Sequence, residues 1–233
     1  MKTEFDRHAH SYEEEIRSSI SFIRQDVQFF TQAKARHLIE LAERERGDAS
    51  RLVALDVGCG VGLTDRWLAP IFGSLHGLDI SKDAIDVAAR NNPLVRYASY
   101  DGGSFPFSDA AFDLVFAICV MHHVDPPSRP AFVAEMARVT KADGLVVVFE
   151  HNPYNPLTRL VVRRCEFDED VMLLPMPEVK QLLAGTGLSV ADERYILFFP
   201  WDGTGVRRFE RRLGRVPLGA QYFVAGRRRS VPD

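Results

Sequence analysis

The chain has 233 residues, 46% of them hydrophobic and 26% charged, with a net charge of −3. That length can bury a substantial core, and the balanced composition excludes a disordered or fibrous chain. The charge gives no global pull toward nucleic acid or a membrane, and no apolar run approaches the roughly 20 residues of a membrane span.

The first residues, MKTEFDRHAHSYEEE, are charged and lack the apolar stretch of a signal peptide. Three widely spaced cysteines (Cys59, Cys119, Cys165) make neither a disulfide framework nor a zinc pattern. Both features lead us to expect a reducing cytoplasm.

Helical spacing is expected over 7–18 and 25–46, with Gly47 as a stop. The rhythm then changes. Residues 52–57 form a short apolar run ending in glycines, the pattern of a buried parallel strand. A helix over 63–71 follows, then a strand over 75–80, a helix from Ser81 to about residue 90, and strands over 95–99 and 112–118. A helix over 128–139 and a strand over 145–150 complete the series. Alternation of this kind implies βαβ units and a doubly wound, mostly parallel sheet. Downstream, 176–185 reads as a helix, while 188–199 and 218–225 read as strands joined by an Arg-rich helical stretch. An antiparallel pair at the sheet's end is expected there.

The chemistry concentrates at strand ends. Leu55-Asp56-Val57-Gly58-Cys59-Gly60-Val61-Gly62 closes the first strand. Glycines there let backbone approach a ligand, and ligands of open α/β sheets bind beyond the carboxyl ends of the strands. The G-x-G-x-G spacing departs from the dinucleotide fingerprint G-x-G-x-x-G. Asp56 suits a cation better than a pyrophosphate, and S-adenosylmethionine (SAM) carries an ammonium and a sulfonium. Its carboxylate is expected at the N-terminus of the following helix. Asp79, in Gly77-Leu78-Asp79-Ile80-Ser81, can accept from a ribose diol. Asp101 and Gly102, in Tyr100-Asp101-Gly102-Gly103-Ser104-Phe105-Pro106-Phe107, can meet an adenine edge. A fourth segment runs from Phe112-Asp113 to Cys119-Val120-Met121-His122-His123-Val124. In it Asp113 reads as a structural cap and Cys119 as a small buried residue.

These segments, in this order and spacing, resemble the class I SAM-dependent methyltransferases, most closely the branch that methylates small molecules and lipids. The resemblance is strong over about 50–150 and looser elsewhere. It implies a Rossmann-like seven-stranded sheet with an antiparallel strand near the C-terminus, and SAM as cofactor with S-adenosylhomocysteine as product. By position it places Asp56, Gly58, Cys59 and Gly60 at the methionine portion, Asp79 and Ile80 at the ribose and adenine face, and Asp101 and Gly102 at the adenine edge. Cys119 would contribute backbone near the amino group. Phe5-Asp6-Arg7-His8-Ala9-His10-Ser11-Tyr12 resembles the family's lid, with Tyr12 near the cofactor.

His151, His123 and His122, all at strand ends, are the candidates for a general base. As neighbours, His122 and His123 are expected to diverge from any one target. No acidic cluster suggests a metal. The expected organisation is one domain over 1–233: a helical lid (1–47), a SAM-binding core (48–150) and an acceptor-side segment (151–233). The 151–175 part of that last segment is expected to close over the crevice. Apolar and aromatic residues across 151–201 suggest a small, hydrophobic or ring-bearing acceptor. O-methylation by in-line displacement is favoured, and no nucleic-acid partner is expected. A SAM-binding protein that does not methylate, or a nicotinamide-dependent oxidoreductase, are the competing readings. Eight arginines between 207 and 229 read first as a solvated helix face.

Overall fold

The computed structural model describes residues 26–165 and 171–229. Tyr12 and the rest of the lid motif lie outside them. In chain order the elements are α1 (Val27–Arg46), β1 (Val53–Val57), α2 (Asp65–Leu68), β2 (Ser74–Asp79), α3 (Lys82–Asn91), β3 (Arg96–Ser99) and β4 (Phe112–Ile118). Then follow α4 (Arg129–Val139), β5 (Thr140–His151), α5 (Pro156–Val162), α6 (Met176–Gly185), β6 (Leu188–Ile196), α7 (Thr204–Leu213) and β7 (Gln221–Arg228).

The strands form one seven-stranded sheet in the order β3-β2-β1-β4-β5-β7-β6. Pairings from β3 through β5 are parallel, and β7 runs antiparallel to both β5 and β6. The expected antiparallel strand therefore sits inside the sheet, between β5 and β6.

Strand alternation builds two cores. In β4 and β5, Leu114, Phe116, Leu145, Val147 and Phe149 face the layer that holds Leu38 and Leu41 of α1 and Leu68 of α2. Val115, Ala117, Val146 and Val148 face Val133 and Met136 of α4 and Val179 and Leu183 of α6. Both faces of β4 and β5 are thus covered, which explains their unbroken apolar runs. Helix α1 is part of this core and not merely a cap on it.

Asp113, at the start of β4, accepts from the backbone N–H of Val53 (3.0 Å) and from Lys141 Nζ (2.8 Å), and pairs with Arg46. It ties β1, β5 and α1 together at the end of the sheet away from the glycine loop. Two expectations needed revision in extent. The helix over 63–71 is one turn long, and the 151–175 segment contains α5, started by the Asn155 side chain accepting from Thr158 N–H (3.0 Å) and by Pro156 at its first position.

Candidate active site

At the carboxyl ends of β1, β2, β4 and β5 lies a cavity of about 990 Å³, at the point where the strand order reverses. The loop after β1 forms its floor. The backbone N–H groups of Gly58 and Cys59 both donate to Leu78 O (2.7 and 3.2 Å), folding the loop across the end of β2. Gly58 has φ +77°, and a Cβ there would lie 2.5 Å from a Val120 methyl. Only glycine meets both constraints. Gly58→Ala is expected to cost about 1–3 kcal/mol of stability, read by denaturant unfolding. Adding Val120→Ala should recover only the part due to the clash, because the strained φ remains.

Asp79 locks this loop. Its Oδ2 accepts from Gly60 N–H and its Oδ1 from Ser81 N–H, both at 2.8 Å. Ser81 in turn caps α3, its hydroxyl accepting from Ala84 N–H at 3.1 Å. The carboxylate is therefore held rigidly at the end of β2, with Ile80 beside it on the cavity wall.

Beneath the loop two acids face each other. Asp56 and Asp65 are buried, are hydrogen-bonding neighbours, and each has an Oδ1 that no donor reaches. Facing each other in a buried site, the two carboxyls favour sharing one proton. Burial, and next the charge of Asp65, pushes Asp56 well above the usual carboxylate range; burial pushes Asp65 up to about 6. Asp65 Oδ2 accepts from the Tyr97 hydroxyl (2.7 Å), which accepts from Asn92 Nδ2 (3.1 Å), which also donates to Gly62 O. Lys34 of α1, buried on the same cavity wall, pulls Asp56 back toward ionisation. A cofactor carboxylate has this cation to meet. The one-turn α2 is too short for the anion site expected of it, and its first residue is the acid Asp65.

Across the cavity three imidazoles gather. Met121–His123 is a 3-10 turn, and within it the His122 and His123 rings lie 4.2 Å apart by centroid; His151 is 5.4 Å from His122. The adjacent histidines converge, contrary to expectation, because His122 is drawn inward by Glu150. His122 Nδ1 lies 2.6 Å from Glu150 Oε2, both side chains are buried, and Glu150 Oε1 accepts from Met121 N–H at 2.8 Å. Burial alone would raise the Glu150 carboxyl. The charges of His122 and His151, with these hydrogen bonds, hold it below its ordinary value. His151 faces Gln221 across the β5–β7 ladder, and Gln221 Nε2 lies 3.3 Å from His151 Nδ1 and 3.6 Å from Cys119 Sγ. Cys119 itself, at the end of β4, has φ +57°, a strained backbone of the kind that collects at functional sites.

Asp56, Gly58, Cys59, Gly60, Asp79, Ile80, Gly102, Cys119, His122, His123 and His151 thus line one cavity. Asp101, expected at the adenine edge, lies off its wall. It is exposed, and its Oδ1 accepts from Gly103 N–H (3.0 Å) in a local turn, leaving Tyr100 and Gly102–Ser104 to face the cavity. Four residues on or beside this site were not singled out: Lys34, Asp65, Glu150 and Gln221. For Glu150 a signal existed, a lone charge ending the apolar run of β5.

Residues 55–148 match the methyltransferase domain family. Over that stretch the chain resembles a methyltransferase domain. Over 102 residues the chain is 33% identical to 2-methyl-6-phytyl-1,4-hydroquinone methyltransferase of Synechocystis, covering 42% of this chain and 31% of that protein. It is 35% identical over 124 residues to the methyltransferase GfsG of Streptomyces halstedii, covering 50% and 44%. The matched region spans less than half the length of either relative. In fold the likeness extends further. The methyltransferase bound to the Trm112 activator in a Haloferax volcanii complex superposes with a TM-score of 0.70 at 19% identity, over 99% of this chain and all of that one. The matched stretch runs from within β1 through most of β5, and so carries the glycine loop, Asp79 and the His122 turn.

Proposed function

We propose that the chain is a SAM-dependent methyltransferase acting on the hydroxyl of a small, apolar, ring-bearing acceptor. The observation that carries the reading is the pairing of two walls in one cavity: Asp56, Lys34 and Asp79 around the glycine loop, and the His122–Glu150 pair opposite. SAM fits the first wall. The donor-less Asp56 Oδ1 suits its cationic end, Lys34 its carboxylate and Asp79 its ribose diol. When bound, SAM supplies an activated methyl group on a sulfonium.

The remaining chemistry belongs to the protein. Glu150 accepts from His122 Nδ1–H and fixes the imidazole, which would receive the acceptor's hydroxyl proton while the oxygen displaces S-adenosylhomocysteine from the methyl carbon. Leu157, Val161, Phe198 and Phe199 form an apolar side of the cavity, which orients a ring and excludes water. Phenolic acceptors are favoured, in keeping with the phytyl hydroquinone in the Synechocystis relative's name. With none of the three cysteines in a disulfide, the cytoplasm is the fitting compartment.

The test is calorimetric titration with S-adenosylhomocysteine, followed by labelled methyl transfer to a panel of phenols and hydroquinones. Binding is expected in the wild type and at least about tenfold weaker binding in Asp79→Ala, because both a ribose acceptor and the lock on Gly60 are lost. A folded protein that ignores S-adenosylhomocysteine overturns the proposal. Binding with no transfer to any acceptor leaves a SAM-binding protein that does not methylate.

A further inference from the structure

Helix α7 takes no part in the chemistry above, and none of its residues is buried. Its attachment is local. Glu210 Oε1 accepts from the backbone N–H groups of Phe198 (2.7 Å) and Phe199 (3.2 Å). Asp202 takes both Arg207 (2.7 Å) and Arg36 (3.1 Å). Those are the two acids of the stretch 198–220, and both are spent on contacts within the protein. Arg208, Arg211, Arg212 and Arg215 are exposed and make no ion pair with the described residues.

Beside these cations sit large rings in water. Trp201 is 55% and Phe209 51% exposed. The Phe199 ring lies 5.6 Å from Trp201 and 6.0 Å from Phe209, and Phe199 also lines the cavity. An apolar surface therefore runs from the cavity to the outer face of α7. On another part of the rim, Asn155 Nδ2 donates to Leu218 O (2.7 Å), and Tyr154, Leu157 and Leu218 are exposed.

Exposed rings, Phe209 on a short helix and Trp201 just before it, set beside unneutralised arginines are the composition of an element that lies in a lipid interface. Charge decides the occupant. In a chain of net charge −3 these arginines form a local positive face, complementary to headgroup phosphates, which guanidinium groups bind in bidentate fashion. We propose that α7 and residues 199–201 dock the protein on an anionic phospholipid surface, with Trp201 and Phe209 in the headgroup layer and Arg208, Arg211 and Arg212 on the phosphates. The cavity mouth would then open toward the phase in which an apolar acceptor is dissolved.

The experiment uses the full chain and unilamellar vesicles, half phosphatidylglycerol and half phosphatidylcholine, against pure phosphatidylcholine. Co-sedimentation is expected with the anionic vesicles alone, weakening as salt rises. Trp201 emission should shift to the blue and be quenched by brominated lipid, whereas Trp201→Phe, which leaves Trp67 as reporter, should lose that response. Reversing charge at Arg208, Arg211 and Arg212 to glutamate is expected to weaken partitioning at least about tenfold. Retained S-adenosylhomocysteine binding by that variant certifies its fold and keeps this outcome separate from the methyl-transfer reading. No association at low salt, association that survives the charge reversal, or capture by duplex DNA and not by vesicles overturns the proposal.

Discussion

His122→Asn is expected to lower turnover of hydroxyl acceptors by about 10²–10⁴-fold, the usual contribution of a positioned general base, while S-adenosylhomocysteine affinity stays within a few-fold. Asparagine is the informative replacement. His122→Ala would leave Glu150 buried with its charge unpaired, a defect worth about 3–5 kcal/mol in comparable sites, and could act through unfolding. An amide can still donate to Glu150 Oε2, yet it cannot take a proton. A second signature separates base loss from mispositioning. Acceptors already ionised at the assay pH need no base, so acidic phenols should lose far less rate than neutral alcohols. Turnover within a few-fold of wild type on neutral acceptors would remove His122 from the mechanism and leave His123 and His151 to be tested in the same way.

Asp65→Asn is expected to stabilise the protein without cofactor at neutral pH. The folded value of Asp65, about 6, lies above its ordinary 3.8. The folded state therefore binds this proton more tightly than the unfolded chain does. The pair's favourable contribution is complete below about pH 4 and is lost as pH rises toward 6. By linkage that shift corresponds to about 3 kcal/mol at pH 7. In the variant, the amide oxygen can still accept from Tyr97 and the nitrogen supplies the donor that Asp56 Oδ1 lacks. The gain in unfolding free energy should be large at pH 7 and vanish near pH 4. Equal gains at both pH values, or a loss at pH 7, would contradict the shared proton. The same pair predicts that wild-type affinity for S-adenosylhomocysteine rises with pH through about 6, because a cofactor ammonium favours the ionised acids. In Asp65→Asn that rise should flatten.

Local chemistry made one wall of the cavity readable. Asp56, Gly58, Gly60 and Asp79 lie within a few residues of the strands that carry them, so their spacing places them together at the strand ends. The opposite wall depends on distant pairings. Glu150 stands out only as a lone charge ending an apolar strand, and its partner appears once the Met121–His123 turn is seen to fold back over it. Gln221 meets His151 only through the register of an antiparallel pair, which unbroken apolar runs do not specify. Asp65 resembles an ordinary first-turn acid of a helix, and only its burial against Asp56, with Tyr97 and Asn92 closing the site, turns it into half of a proton-sharing pair. The α5 segment was hidden by Asn152-Pro153-Tyr154-Asn155-Pro156, which reads as a run of turn signals while in fact supplying that helix with its cap and first residue.

Placing β7 between β5 and β6 has a consequence for how the molecule assembles. The strand latest in sequence order is an interior strand, so until residue 228 has been made the edges of β5 and β6 stand without partners. The waiting edge of β5 carries Leu145–Phe149, five apolar residues in a row, the kind of segment most prone to pair with the wrong chain. Gln221 and His151 come together in that same closing step. A nascent or clipped chain that lacks β7 is therefore an aggregation hazard with an incomplete site, rather than a weaker enzyme.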